Sequence, residues 1–286
     1  MQILSIQSWV AYGHVGNASA VFPLQRLGAE VVAINTVQFS NHTGYGDWTG
    51  DVFSGAQVRA LLDGIERRGV LARCDAVLSG YMGDVEIGHA ILDAVARVRA
   101  ANPGALYCCD PVIGDDGHGV YVRPGIAELM RDAAIPQADI ATPNAFELRQ
   151  LTGLPDGTLE QAKRAVAALQ DRMHPGGPRT VLLTSLRTDA TPAGSLDMLV
   201  GEREKFHFLR SPLLPVDLNG AGDAVAALFL FHRHKTGSAV AALEAAGSAI
   251  HGVLRRTAEA GSRELLTVAA QEEFVRPTTR LVAEPC

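Results

Sequence analysis

Strand-length apolar runs alternate with helix-length amphipathic stretches along most of this 286-residue chain. Gln2–Gln7, Glu30–Asn35, Asp75–Gly80, Ala105–Asp110, Ala138–Thr142 and Thr180–Ser185 have the length and apolar density of buried strands. Between them, Ala18–Leu27, Gly55–Arg68, Asp84–Ala101, Asn144–Thr152 and Leu159–Arg172 carry helical patterns. Asn17 stands where it could cap the first helix, and Gly28 where it could end it. This order predicts βαβ units and an α/β fold with a mainly parallel central sheet. Thr36–Gly50 and the Pro/Gly-rich Pro111–Pro124 read as loops, the latter followed by a short helix into Arg131. A hairpin spacing around Gly201 joins Leu196–Val200 to Glu204–Leu209. The last third reads as helices over Gly220–His234 and Ala239–Ala258, with a shorter one from Thr267. No repeat, linker or composition break divides the chain, so a single domain over residues 1–286 is expected.

Charge and hydropathy narrow the function classes. There are 25 basic against 31 acidic residues, a net of −6, and no Lys/Arg stripe to follow a phosphate backbone, which argues against a nucleic-acid partner. The basic run His232–Lys235 suits the last turn of a helix. The longest apolar run, Ala224–Phe231, is far shorter than the roughly 20 residues a bilayer requires. Ile3–Ile6 has no basic flank of the signal-peptide kind. No membrane partner and a cytoplasmic location are therefore expected. Cys74, Cys108, Cys109 and Cys286 have neither disulfide nor zinc spacing, and the adjacent pair should point to opposite faces of one strand as buried thiols.

Ligands of open α/β sheets lie beyond the carboxyl ends of the strands. There this sequence offers Ser8 with Gly13 and Gly16, then Tyr81 and Asp84, then Asp110 with Gly114 and Asp115. Asn144 and Glu147 follow Thr142, and Thr184 follows the strand that begins at Thr180. Glycine is about a tenth of the chain, 29 residues, and many of its members fall at these turns. The strongest local motif is Asn219–Asp223 (NGAGD), which opens an apolar helix. Two glycines let successive N–H groups converge on an anion, the helix dipole favours negative charge there, and a carboxylate in the first turn could accept a proton from an attacking hydroxyl. Taken alone, the motif suits equally well a plain helix start with an N-terminal Asp. No Gly-Lys-Ser/Thr loop of the Walker A kind occurs.

With its neighbours the motif says more. GAGD entering a helix resembles the anion hole of ribokinase-superfamily small-molecule kinases. Leu4–Ser8 (LSIQS), Gly16-Asn17, Asn35–Tyr45 (NTVQFSNHTGY), Leu78–Tyr81 (LSGY), Cys109–Val112 (CDPV) and Thr142–Glu147 (TPNAFE) resemble the pyridoxal kinase branch of it. The resemblance implies a three-layer α/β/α ribokinase-like fold and transfer of the ATP γ-phosphoryl group to the 5′-hydroxyl of pyridoxal, pyridoxine or pyridoxamine. Asp223 would be the base, with Gly220, Ala221 and Gly222 supplying the anion-hole amides. Ser8 and Thr43 would fix the polar edge of the pyridine ring, walled by Val15, His42 and Tyr81. Asp110, Asp115, Tyr121, Thr142, Asn144, Glu147 and Thr184 match nucleotide-side positions. Carboxylates repel a triphosphate, so Asp110 and Glu147 make sense as ligands, direct or through water, of Mg²⁺ shared with ATP. A monovalent cation such as K⁺ and a homodimer are further implications, and Gly114–Gly119 would form a flap over the phosphates. Outside the matched blocks, ordinary turn hydrogen bonds would explain Ser8 and Thr43 as well, and a solvated turn would explain Asp115–Gly117.

Three positions and one segment depart from the family pattern. Thr184 stands where many bacterial members carry Lys, Ala221 where a Thr often adds a hydroxyl, and Trp9 where His is usual; the segment Pro212–Asn219 is short. Two other readings follow from the same residues. One is a kinase of the same fold for another hydroxymethyl heteroaromatic such as hydroxymethylpyrimidine; the other is a vitamer-binding protein with little transfer activity.

Overall fold

A computed structural model describes all 286 residues. The chain begins in β1 (Gln2–Val10), turns through a glycine-bearing loop into α1 (Asn17–Arg26), and returns in β2 (Glu30–Phe39). Then come β3 (Gly50–Val52), α2 (Gly55–Glu66), β4 (Ala76–Ser79), α3 (Val85–Ala101) and β5 (Leu106–Cys109). A small ribbon of β6 (Gly114–Asp115) and β7 (Gly119–Val120) precedes α4 (Ile126–Leu129), β8 (Ile140–Ala141), α5 (Ala145–Thr152) and α6 (Leu159–Arg172). The remainder is β9 (Thr180–Leu186), the hairpin β10 (Ser195–Glu202) and β11 (Lys205–Pro212), α7 (Ala221–Thr236), α8 (Ala239–Glu259), α9 (Glu272–Val275) and β12 (Glu284–Pro285).

Ten strands form one sheet in the order β12-β11-β10-β9-β8-β5-β4-β1-β2-β3. From β9 to β2 every neighbouring pair is parallel, while β3, β10, β11 and β12 add antiparallel edges. The parallel strands are buried on both faces and alternate between two cores. Leu4, Tyr107, Cys109 and Leu183 face α2, α3, α5 and α6; Ile3, Leu78, Cys108 and Leu182 face α1, α7 and α8. This is the three-layer α/β/α arrangement, and Cys108 and Cys109 do lie on opposite sides of the sheet. Burial raises the thiol pKa of both, so they are packing groups, not nucleophiles.

Three sequence expectations change. The stretch 36–50 is not all loop: β2 continues to Phe39, and Gly50–Val52 folds back against it, Val37 opposite Val52. Asn17 does not cap α1; Gly16 holds that position, and the Asn17 side chain turns inward to bond Ile34 O and Asn35 Oδ1 while accepting from Ser5. The helix expected from Thr267 is the single turn α9. Elsewhere local chemistry sets the boundaries: reciprocal capping boxes at Ser54/Gln57, Asn144/Glu147 and Thr158/Gln161 start α2, α5 and α6. The basic run Arg233–Lys235 occupies the last turn of α7, which stops at left-handed Gly237.

Chain order reverses at β1, with β2 on one side and β4 on the other. The crevice at that switch point is where the sheet splays its crossovers apart, and the carboxyl ends of β1, β2, β4, β5, β8 and β9 all open on the same edge.

Candidate active site

At the switch point, α7 points its N-terminus over the loop between β1 and α1. Gly220 is left-handed (φ +89°), and a Cβ there would overlap the His14 carbonyl oxygen. The Ser19 hydroxyl donates to Gly220 O at 2.7 Å, pinning the turn to α1. No side chain caps α7, and no backbone carbonyl takes the amides of Ala221 and Gly222, so both remain available to an anion. Asp223 lies half-buried in the first turn. Burial raises its carboxyl pKa, against the pull of the Gly16 amide and its own amide. A carboxylate with a raised pKa beside free helix-terminal amides is suited to taking a proton next to a developing anion.

Ser8 sits where the β1–β2 register slips, between Gln7 opposite Asn35 and Trp9 opposite Gln38. That irregularity carries it to the mouth of the crevice, only 6% exposed, with Gly16 so close that a Cβ would collide with Ser8 Oγ. Val15 and Tyr81 pack around Val10, Val37 and Phe39, giving an apolar wall at the end of the same strands. Tyr81 is fixed from behind, its carbonyl accepting from buried Thr36 at 2.7 Å, and burial raises its phenol pKa. The segment 41–46 crosses above. Thr43 is exposed at the start of a short 3-10 turn, and the rings of His42 and Tyr45 lie 4.6 Å apart. A Cβ on Gly44 would come within 2.9 Å of Asn219 Nδ2, so this segment touches the turn that opens α7.

The other half of the groove is acidic. Asp110 at the end of β5 is 5% exposed and accepts from Thr142 Oγ1 at 2.8 Å. Burial first, then the carboxylates of Glu147 and Asp223, push its pKa well above the usual range. Glu147 is 4% exposed; its Oε1 accepts from the Ile113 amide and its Oε2 from the Asn144 amide, each at 2.9 Å. Burial raises Glu147 to about 8 despite those amides. Asn144 binds in turn to Gly114 O at 2.8 Å, tying the start of α5 to the β6–β7 ribbon. Tyr121 is half exposed, and its phenol pKa is raised, by partial burial first and then by Glu147, Asp223, Asp115 and Asp110. Thr184 bridges to Asn144 through the backbone, with its amide donating to Pro143 O at 2.9 Å.

Asp115, on the nucleotide-side ribbon, also folds its own turn. Its Oδ1 accepts from the amides of Gly117 and His118, both at 2.8 Å, which is the local turn its residue type favours. Asp116 pairs with Arg149 of α5, which also binds Asp156 at 2.7 Å; the ribbon is thus strapped to the protein by ion pairs at the surface.

Asp110, Glu147 and Asp223 raise one another's pKa or are raised by burial, and no Lys or Arg is among the groups acting on them. Oxygen donors crowded without a cation fit a hard divalent ion. No three His, Cys, Asp or Glu side chains converge closely enough to hold a metal ion by themselves.

One residue escapes the sequence reading. Glu264, beyond α8, closes over the 41–46 segment, accepting from the Tyr45 hydroxyl at 2.6 Å and pushing that phenol up to about 12. It carries no local signal; Gly13, whose Cβ would collide with Glu264, is the one trace in the sequence. Ser185, which follows Thr184 at the strand end, is exposed in the left-handed region (φ +55°).

Comparison with known proteins agrees with this fold. The family model described as phosphomethylpyrimidine kinase matches residues 27–267. The chain is 67% identical to "Pyridoxal kinase PdxY" of Granulibacter bethesdensis over 286 residues, all of both chains. It is 56% identical to the protein of that name from Deinococcus radiodurans, covering 99% of this chain and 95% of the relative. Among solved structures, pyridoxal kinase from Leishmania donovani in complex with ADP and pyridoxamine superposes with a TM-score of 0.92 at 30% identity, covering 100% of this chain and 99% of the other. With 67% and 56% identity over essentially the whole of both chains, the chain belongs to the pyridoxal kinase family.

Proposed function

We propose that this chain, as one kinase domain over residues 1–286, transfers the γ-phosphoryl group of ATP to the 5′-hydroxyl of pyridoxal and related B6 vitamers. The observation that carries the reading is the placement of Asp223 at a helix terminus whose amides are free, fastened to the loop that follows the Ser8 strand. Val15 and Tyr81 offer a flat ring an apolar wall, His42 a second face, and Ser8 and Thr43 hydroxyls for its polar edge. Asp223 takes the hydroxyl proton as the oxygen attacks phosphorus, and burial, which raises its pKa, makes its carboxylate a stronger base for that proton. The amides of Ala221 and Gly222 receive the charge that develops on the transferred group. Asp110 and Glu147 would hold Mg²⁺, directly or through water, and the ion supplies charge neutralisation of the phosphates. Thr142 keeps Asp110 oriented, Tyr121 and Thr184 line the nucleotide side, and Asn144 with Glu147 anchors the ribbon that limits water access. A supporting K⁺, a homodimeric assembly and a cytoplasmic location belong to the same reading.

The test is turnover with Mg-ATP and, separately, pyridoxal, pyridoxine, pyridoxamine and hydroxymethylpyrimidine, following ADP and the phosphorylated product. Phosphate on the B6 vitamers is expected. Product from hydroxymethylpyrimidine alone overturns the reading in favour of the other branch, and tight vitamer binding without ADP makes the protein a carrier.

A further inference from the structure

Glu264 is 8% exposed, and the three groups that bond its carboxylate lie between 219 and 250 residues away in sequence. Its Oε1 accepts from the Tyr45 hydroxyl at 2.6 Å and stands 3.2 Å from His42 Nε2; its Oε2 accepts from the His14 amide at 3.2 Å. No Lys or Arg pairs with it, and its one ionic partner is His42. The carboxylate thus ties together the loop after β1, the 41–46 segment and the chain beyond α8.

An ionised carboxylate only accepts, so the proton in its bond with His42 sits on Nε2. In the neutral ring Nδ1 is then a bare acceptor, and in this structure that atom is buried with no protein partner. It borders Gly44: a Cβ there would lie 3.0 Å from His42 Nδ1 and 2.9 Å from Asn219 Nδ2. The same contact chain therefore runs from Glu264 through His42 and Gly44 to the turn that opens α7. On its other side Glu264 fills the space beside Gly13 (φ +94°), one residue before the His14 carbonyl that seats Gly220. A buried carboxylate must be saturated with donors to be tolerated, and every donor it takes belongs to a segment lining the groove.

We propose that Glu264 is a positioning residue for the vitamer site, holding His42 as its Nε2–H tautomer with Nδ1 free beside Gly44 and fixing the 41–46 segment against the Gly220 turn before substrate arrives. The proposal rests on the kinase reading for the identity of the ligand alone; the arrangement of His42 does not depend on it.

The full chain carrying Glu264→Ala should show KM for pyridoxal raised about tenfold to a hundredfold, with KM for ATP within about twofold of the parent. Glu264→Gln, whose single amide oxygen can still accept from the His14 amide while its NH2 group faces Tyr45 and His42, should recover part of that loss. If Glu264→Ala does not fold, Tyr45→Phe should give the same KM split at a smaller size. Nitrogen NMR of the ligand-free parent should show the His42 ring protonated on Nε2, and the ring in Glu264→Gln should lose that single tautomer. Equal rises in both KM values, or an Nδ1–H ring in the parent, overturn the proposal. Failure of the parent to phosphorylate any vitamer would remove the functional reading, while the His42 tautomer, read without ligand, still decides this one.

Discussion

Glu264 and Asp110 are both buried carboxylates at the same edge of one sheet, yet their surroundings differ. Around Glu264 a phenol, an imidazole and a backbone amide supply donors, so its charge is compensated within the fold. Asp110 has one hydroxyl for company and faces the carboxylates of Glu147 and Asp223, which raise its pKa further. The donors around Glu264 are complete in the free chain. The carboxylates of the acidic half have no Lys or Arg acting on them and are relieved by protonation or by an added cation, so the two halves should respond differently to mutation, pH and metal.

Asp223 stands between the halves, and its removal should give the largest effect. Asp223→Asn keeps the shape and removes the base; steady-state kinetics should show kcat lower by about 10²- to 10⁴-fold with both KM values changed little. Near-parental kcat would take the base role away from it. Next comes Gly220→Ala, in which a left-handed backbone acquires a Cβ that overlaps the His14 carbonyl. Backbone strain plus displacement of the β1–α1 loop should lower stability by roughly 2–4 kcal/mol, seen as a lower Tm, and should weaken both substrates together. A loss confined to ATP would show that the halves are less coupled at this turn than their packing implies.

The acidic half should make the ligand-free protein pH-sensitive. Glu147 binds its proton more tightly folded, up to about 8, than unfolded, with an ordinary value of 4.5. Between those values the native state holds more protons than the unfolded chain, so stability falls as pH rises from about 4.5 to about 8, by roughly a few kcal/mol. Thermal melts across that window should show the decline, and Mg²⁺ should restore Tm more at the upper end than at the lower. Equal effects of Mg²⁺ at both ends would mean that the acids do not bind it. The smallest effect belongs to the ribbon strap: Asp116→Asn breaks an ion pair whose carboxylate is 69% exposed, worth at most about 1 kcal/mol. KM for ATP should rise about twofold or less, with KM for pyridoxal unchanged.

Much of this groove is legible residue by residue because its parts are local. The GAGD turn needs only neighbours in sequence to make a helix terminus, and Asn144 with Glu147 forms a capping box from a four-residue pattern. Asn17 misled for the same reason: its type and position suit a cap, but the buried donors and acceptors of Ser5, Ile34 and Asn35, brought in by β1 and β2, claim its side chain. The stretch after Asn35 reads as a loop because Gln, Ser, Asn, His and glycines interrupt its apolar residues; Val37 and Phe39 gain their burial from the cluster with Val10, Val52 and Tyr81, which no local window contains. Glu264 was invisible, since a single Glu following a helix carries no pattern.

By itself the sequence determined the alternation that makes a parallel sheet between helical layers, and the short motifs that place hydroxyls, glycines and acids at the strand ends. Those features depend on periodicity and on hydrogen bonds between near neighbours. Only the tertiary structure decided which strand ends meet at the switch point, which carboxylates repel and which are compensated, and that a glutamate beyond α8 clasps a loop from the other end of the chain. Burial and electrostatics act through space, and their partners here lie up to 250 residues apart in sequence.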